Sequence, residues 1–143
     1  MTDSTAHVTW TGDLRSGAGQ VAFTRGGLPT TAVTWAGRTG AAGDGTTPEE
    51  LLAAAHAACF SMALSSGLAR GGHPPTTLRV SATATFDPEG VRIAAIRLVV
   101  RGQVAGLESA GFEAAARDAA AGCPVSKALH GNVEIEVDAA LGD

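Results

Sequence analysis

An uncharged run from residue 51 to residue 69 is the feature that most constrains this 143-residue chain. Thr47, Pro48 and Glu50 precede it. Threonine caps helix N-termini, proline suits the first helical position, and a glutamate three residues after the cap completes a capping box. Apolar residues then fall on every side of the helix, as is typical of a helix surrounded by protein. The sequence therefore predicts a long, central, buried helix with Cys59 near its middle.

The rest of the chain predicts strands before this helix and a mixture of strands and helices after it. Glycine-rich turns separate short runs of β-branched and aromatic residues, and later segments alternate apolar with polar residues. The predicted elements are strands at 7–10, 18–24 and 30–36, a Gly/Ala loop at 37–45, the central helix, strands at 76–86 and 91–104, helices at 107–121 and 124–130, and a strand at 132–140. This order predicts an α+β fold of antiparallel sheets in a single domain spanning 1–143.

Charge and composition narrow the range of partners. The formal net charge is -4 and the basic residues are scattered, so we expect neither nucleic acid nor membrane as a partner. The first residues contain no basic region followed by an apolar core, which predicts a cytoplasmic protein. The run at 51–69 has about the length of a membrane span, but it is rich in alanine and serine and includes a histidine. A core helix of a soluble protein is the preferred interpretation.

The two cysteines, Cys59 and Cys123, are either inert or work as thiols, because structural disulfides are unusual in a reducing compartment. Burial in an apolar helix disfavours a thiolate, so a functional Cys59 needs a cation nearby. Arg38 is the first candidate and Arg15 the second, since arginine remains charged when desolvated. Cys123 precedes Pro124 near a predicted helix N-terminus, where the helix dipole favours a thiolate.

Glu49 is the candidate carboxylate for holding that arginine, because Glu50 already has the capping task. About 15 Å of helix separates Glu49 from Cys59, so their side chains cannot meet within one helix. Either Arg38 spans the interval or Glu49 comes from a second subunit. Antiparallel pairing of the helix with its twin would also cover its apolar surface, and this coincidence predicts a homodimer.

Two other functions remain open at the level of the residues. His56 lies three positions before Cys59 on the same helix face, which raises a Cys-His hydrolase or transferase. A histidine in a buried helix is, however, more often a satisfied core or interface residue. A non-enzymatic redox-sensing or interaction module is the second alternative. The four histidines are dispersed along the chain, so we expect no metal site.

Two segments contain the two cysteines. They read Thr-Pro-Glu-Glu-Leu-Leu-Ala-Ala-Ala-His-Ala-Ala-Cys-Phe-Ser-Met-Ala-Leu at 47–64 and Gly-Cys-Pro-Val-Ser-Lys-Ala-Leu at 122–129. Both segments closely resemble the osmotically inducible protein C family, OsmC. A Trp-x-Gly-Asp motif at 10–13 extends the resemblance over essentially the whole chain. The related organic hydroperoxide resistance branch, Ohr, shares the fold.

The resemblance implies a thiol-dependent peroxidase that acts on organic hydroperoxides, and less efficiently on hydrogen peroxide, in stress defence. It implies an intertwined homodimer with its active sites at the subunit interface. By position, Cys59 would be the peroxidatic nucleophile, Cys123 the resolving cysteine that forms a disulfide with it, Arg38 the activating cation and Glu49 the carboxylate that orients the arginine. The family also implies a dithiol reductant, either a dihydrolipoyl protein or a small thiol, and no flavin, haem or metal cofactor.

Overall fold

The computed structural model describes residues 1–40 and 44–142, which form two compact units, Met1–Leu51 and Leu52–Asp143. Residues 41–43 of the predicted Gly/Ala loop lie outside the described residues. The elements are β1 (Ala6–Thr11), β2 (Ala18–Phe23), β3 (Thr31–Val33), α1 (Trp35–Arg38), α2 (Pro48–Arg70), β4 (Thr77–Asp87), β5 (Arg92–Gln103), α3 (Ser109–Gly122), α4 (Pro124–Leu129) and β6 (Glu134–Leu141). The predicted α+β class is confirmed.

The three strands predicted before the central helix form an antiparallel sheet in the first unit, in the order β1-β2-β3. Gly19 lies in the middle strand opposite Trp10 and Val33. A Cβ atom at residue 19 would lie 2.7 Å from Val33 Cγ2 and 3.0 Å from Trp10 Cε3. Glycine is therefore needed here because the neighbouring side chains close over the backbone of β2.

The third strand was predicted at 30–36, which is too long. In the structure β3 ends at Val33, and the short helix α1 follows. The Thr34 side chain accepts a hydrogen bond from the Gly37 N–H at 3.0 Å and so caps α1. A side-chain hydroxyl that satisfies a free helical N–H offers the backbone an alternative to strand pairing. The cap places Arg38 in the last turn of α1, where the sequence had predicted a loop.

The chain returns to β3 before it enters α2. The Thr46 N–H donates to the Ala32 carbonyl at 2.9 Å, and Thr46 forms an isolated parallel bridge with Val33. Thr47 then accepts the Glu50 N–H at 3.0 Å, which confirms the predicted cap. The Glu50 carboxylate accepts the Thr46 hydroxyl instead of the backbone N–H of the cap residue, so that half of the capping box was wrong.

The second unit contains the sheet β4-β5-β6. The long strands β4 and β5 correspond to the strands predicted at 76–86 and 91–104, and they form an antiparallel hairpin. In contrast, β6 runs parallel to β5, so the expectation of purely antiparallel sheets was wrong for this pair. Parallel neighbours need a long crossover connection, and α3 and α4 supply it. This crossover carries Cys123 between its two helices.

The core of the second unit joins one stripe of α2 to β5 and α3. Ile96, Leu98 and Val100 are fully buried on one face of β5, as the alternation predicts. The other buried apolar members are Phe60, Leu64, Leu68, Phe112, Ala116, Ala119 and Cys123. Packing is tight at Gly102 in β5, where a Cβ atom would lie 2.5 Å from Phe112 Cζ.

Helix α2 buries a single stripe within the described chain. Glu49, Ala53, His56, Phe60, Leu64 and Leu68 recur every three or four positions and are buried, whereas Met62 is 70% exposed. The helix is long and apolar enough to cross a membrane by length and composition alone. Phe60, Leu64 and Leu68 of this stripe belong to the core described above, and the spacing of the stripe is that of a helix packed on one side against protein.

Candidate active site

The structure brings the two cysteines together within the second unit. Cys59 lies on α2, Cys123 lies between α3 and α4, and both are free thiols. The two side chains share a hydrogen bond. A contact between thiols distant in sequence is the arrangement from which a disulfide can form and break with little backbone movement.

Local backbone geometry fixes the position of Cys123. Its N–H donates to the Ala119 carbonyl at 2.8 Å and closes α3, while its own carbonyl accepts the Lys127 N–H at 3.0 Å and begins α4. Pro124 occupies the first turn of α4, where a missing N–H costs nothing. Cys123 is thus the C-cap of one helix and the N-cap of the next. The following proline had predicted the second of these positions.

Hydrogen bonds favour a negative charge on Cys123. Burial alone would raise the pKa of Cys123. Hydrogen bonds to its sulfur outweigh burial and hold the pKa below its ordinary value. The donors are the Cys59 thiol, the N–H and hydroxyl of Ser126, and the Val125 N–H. These N–H groups belong to the first turn of α4, where backbone donors lack helical partners. The geometry therefore provides a thiolate site at the start of this helix.

The environment of Cys59 acts in the opposite direction. Burial and the hydrogen bond with Cys123 raise the pKa of Cys59, and the Val125 N–H only partly offsets them. Two thiols in contact titrate as a coupled pair. When the pair loses its first proton, the negative charge lies mainly on Cys123, because its sulfur accepts more hydrogen bonds. Exposure differs as well, since Cys59 is half-buried and Cys123 is fully buried. A reagent from solvent therefore reaches Cys59 more readily.

The second pair of expected site residues, Arg38 and Glu49, forms an ion pair within the first unit. Glu49 Oε1 accepts hydrogen bonds from Arg38 Nη2 at 2.8 Å and from Arg38 Nε at 3.0 Å. The Glu49 side chain is 8% exposed and that of Arg38 is 29% exposed. A carboxylate oxygen bound by two guanidinium donors fixes the direction of the arginine. Arg15, the second candidate, is exposed in the turn between β1 and β2.

A third polar pair links His56 to Ser126, with Nε2 of the imidazole 2.8 Å from the hydroxyl oxygen. Both residues are buried, and burial lowers the pKa of His56, so the ring is neutral. Sequence reasoning named His56 but missed Ser126. The available signal was the position of Ser126 three residues after an N-cap cysteine, where a backbone N–H points back at the cap.

The fold and the site together define a class: an α+β protein with a dithiol between its longest helix and a helix N-terminus. A family model described as OsmC-like protein matches residues 41–138. The chain belongs to this family.

Curated relatives support the same assignment. The chain is 36% identical over 130 residues to "Peroxiredoxin OsmC" from Escherichia coli K12, covering 89% of this chain and 90% of the relative. It is 34% identical over 104 residues to "Organic hydroperoxide resistance protein-like 1" from Staphylococcus saprophyticus, covering 69% and 72%.

Solved structures share the fold. The organic hydroperoxide resistance protein OhrB of Bacillus subtilis aligns with a TM-score of 0.70 and 27% identity, covering 94% of this chain and 97% of that protein. An organic hydroperoxide resistance protein from Elizabethkingia anophelis aligns with a TM-score of 0.75 and 25% identity, covering 99% of each chain. The sequence-based recognition of the OsmC and Ohr superfamily is confirmed.

Proposed function

We propose that this protein is a cysteine-based peroxidase that reduces organic hydroperoxides, and hydrogen peroxide less efficiently, in the cytoplasm as part of stress defence. The observation that carries the proposal is the contact between Cys59 and Cys123, of which only Cys59 is partly accessible. The names of the E. coli and S. saprophyticus relatives support the same reaction class.

The reaction uses the two sulfur atoms in sequence. The Cys59 thiolate attacks one oxygen of the peroxide, the O–O bond breaks, and the alkoxide leaves and takes a proton to become the alcohol. Cys59 is thereby oxidised to a sulfenic acid. The Cys123 thiolate then attacks the Cys59 sulfur and displaces hydroxide, which is protonated to water, and a disulfide remains. A dithiol, either a dihydrolipoyl protein or a small thiol, reduces this disulfide and is itself oxidised.

The opposite order, in which Cys123 attacks the peroxide, has one observation in its favour, because the pKa of Cys123 is the lower one. Burial argues against it: Cys123 is 0% exposed and offers a peroxide no approach, whereas Cys59 is partly open. Cys59 still needs positive charge in order to ionise, since its surroundings raise its pKa. The proposal assigns this activation to Arg38 and assigns to Glu49 the task of holding the arginine.

The first test is to treat the pre-reduced protein with stoichiometric cumene hydroperoxide, count the free thiols, and map any Cys59 to Cys123 link by peptide mass. We expect rapid loss of both thiols, a disulfide between them, and recovery with dihydrolipoamide. Survival of both thiols in a large excess of peroxide would contradict the proposal.

Two matched variants separate the roles of the cysteines. Cys123→Ser should accumulate a sulfenic acid on Cys59 that a dimedone-type reagent traps, without a disulfide. Cys59→Ser should leave Cys123 reduced. A trapped sulfenic acid on Cys123 in the second variant would instead establish the opposite order. Continuous turnover of peroxide with dihydrolipoamide separates an enzyme from a redox-sensing module. If Cys123→Ser turned over peroxide as fast as the wild type, the two-cysteine mechanism would be refuted.

The homodimer belongs to the same proposal. It is supported by α2, which buries one stripe and leaves Met62 70% exposed on another face. Burying exposed apolar surface stabilises association. Sedimentation equilibrium should give twice the mass of one chain, and Met62→Glu should shift the equilibrium toward the monomer. A monomeric wild-type protein at micromolar concentration would refute this part of the proposal.

A further inference from the structure

A buried chain of hydrogen bonds extends from Cys123 into the core. The Ser126 hydroxyl and N–H interact with the Cys123 sulfur, and the same hydroxyl lies 2.8 Å from His56 Nε2. His56 is 0% exposed and Ser126 is 5% exposed. The chain thus connects α2 to the first turn of α4 through three adjoining polar side chains.

The tautomer of His56 decides which way the Ser126 proton points. Within the described residues, His56 Nδ1 is buried and has no hydrogen-bond partner. If Nδ1 carried the proton, the core would contain an orphaned N–H donor, which proteins rarely tolerate. With the proton on Nε2, the orphaned atom is an acceptor, and Nε2–H donates to the Ser126 oxygen. The serine hydroxyl proton is then free to point at sulfur.

We propose that His56 is a positioning residue, which donates from Nε2–H to Ser126 and thereby directs the Ser126 hydroxyl proton onto the sulfur of Cys123, stabilising its thiolate. The role is electrostatic rather than that of a base, because accepting a proton would create a buried imidazolium. The lowered pKa of His56 agrees with a ring that remains neutral.

The consequence for the reaction rests on the proposed function. A thiolate on Cys123 is the form that attacks a sulfenic acid on Cys59, so His56 would accelerate disulfide formation without touching the peroxide. The groups that face Cys123 are the Cys59 thiol from α2 and the Val125 and Ser126 donors from α4. His56 acts through Ser126.

The test titrates Cys123 alone, by ultraviolet thiolate absorbance in a Cys59→Ser background, so that no peroxide chemistry is involved. A hydrogen bond to a charged group is strong enough to move a titration midpoint by about one pH unit. We expect Ser126→Ala and His56→Leu each to raise the midpoint by roughly that amount. We expect His56→Gln, whose amide keeps an N–H donor, to stay near the parent value.

The double variant His56→Leu, Ser126→Ala should titrate like Ser126→Ala alone, because both residues act through one hydroxyl. An unchanged midpoint in His56→Leu, or shifts that add in the double variant, would overturn the proposal. If His56→Leu does not fold, nitrogen chemical shifts of the imidazole in the wild-type protein decide the question. An Nε2–H tautomer supports the proposal and an Nδ1–H tautomer refutes it.

A kinetic measurement connects the proposal to the reaction. In His56→Leu with both cysteines present, at a pH below both midpoints, cumene hydroperoxide should oxidise Cys59 no more slowly than in the wild type. The disulfide should form about ten-fold more slowly, because a one-unit rise in midpoint lowers the thiolate fraction of Cys123 ten-fold there. A trappable sulfenic acid should therefore accumulate. Equal rates of disulfide formation would contradict the inference. If the wild-type protein does not react with peroxide at all, the proposed function fails, while the titration still tests the role of His56.

Discussion

Removing the two partners of the Arg38–Glu49 ion pair one at a time should have unequal effects on stability. The Glu49 side chain is 8% exposed and that of Arg38 is 29% exposed. Arg38→Ala leaves a buried carboxylate without its counter-charge, which costs about 3 kcal/mol or more. Glu49→Gln leaves a guanidinium that water can still reach and an amide oxygen that still accepts a hydrogen bond, so the expected cost is about 1–2 kcal/mol.

The assay is urea unfolding followed by tryptophan fluorescence. Both tryptophans, Trp10 and Trp35, lie in the first unit, and Trp35 opens the short helix that ends at Arg38. Their emission therefore reports on the unit that contains the ion pair. The free energy of unfolding should fall in the order wild type, Glu49→Gln, Arg38→Ala.

An exposed arginine provides the matched control. Arg15→Ala removes the same charge from a turn in the same unit, and the expected change is within about 0.5 kcal/mol. Arg38→Lys keeps the charge but not the planar fork, and should fall between wild type and Arg38→Ala. The reasoning is refuted if Glu49→Gln costs as much as Arg38→Ala, because burial of the residue left behind would then not decide the outcome.

Three further substitutions test other parts of the structure. Gly102→Ala forces a methyl group against Phe112 and should lower the free energy of unfolding by about 1–3 kcal/mol. If the clash is the cause, the double variant with Phe112→Leu should lose less than the sum of the two single variants. Thr47→Ala removes the cap of α2 and should cost about 1 kcal/mol in urea unfolding; an unchanged midpoint would mean that the cap is dispensable. The Arg101 hydrogen bond lowers the pKa of Asp138 below 3.8, so its stabilisation is present above that pH and is lost as the pH falls through the lower, folded-state pKa. Asp138→Asn should therefore lower the melting temperature at neutral pH and match wild type in strong acid, and a gap that persists in acid would exclude this electrostatic origin.

Sequence reasoning succeeded where a pattern repeats locally. The alternation of apolar and polar residues predicted the strand at 91–104, and its alternate residues Ile96, Leu98 and Val100 are fully buried. The cap at Thr47 is equally local and was found at its predicted place. Cys123 was placed at a helix N-terminus from the following proline alone. Signals of this kind depend on a few neighbouring residues, which a single sequence contains.

The sequence failed to predict features that depend on competing local structures or on partners distant along the chain. Helix α1 was missed because it is only four residues long, and because the Thr34 hydroxyl stabilises a helical turn where the sequence pattern favours a strand. The direction of β6 was wrong because alternation is the same in parallel and antiparallel strands, and only the crossover decides. The contact between His56 and Ser126 joins residues 70 positions apart, and no local pattern predicts it.

The contact between Cys59 and Cys123 links the redox state of the chain to its folding. A disulfide there would close a loop of about 65 residues and, by chain entropy, stabilise the folded form by about 4 kcal/mol. By thermodynamic linkage, folding stabilises the disulfide against reduction by the same free energy. The reduction potential of the disulfide is therefore about 90 mV lower in the folded chain than in the unfolded chain, for a two-electron couple. The loop encloses β4, β5 and α3, so oxidation would tie most of the second unit together. A reductant that opens this disulfide in the folded chain must therefore have a potential about 90 mV lower than one that opens it in the unfolded chain.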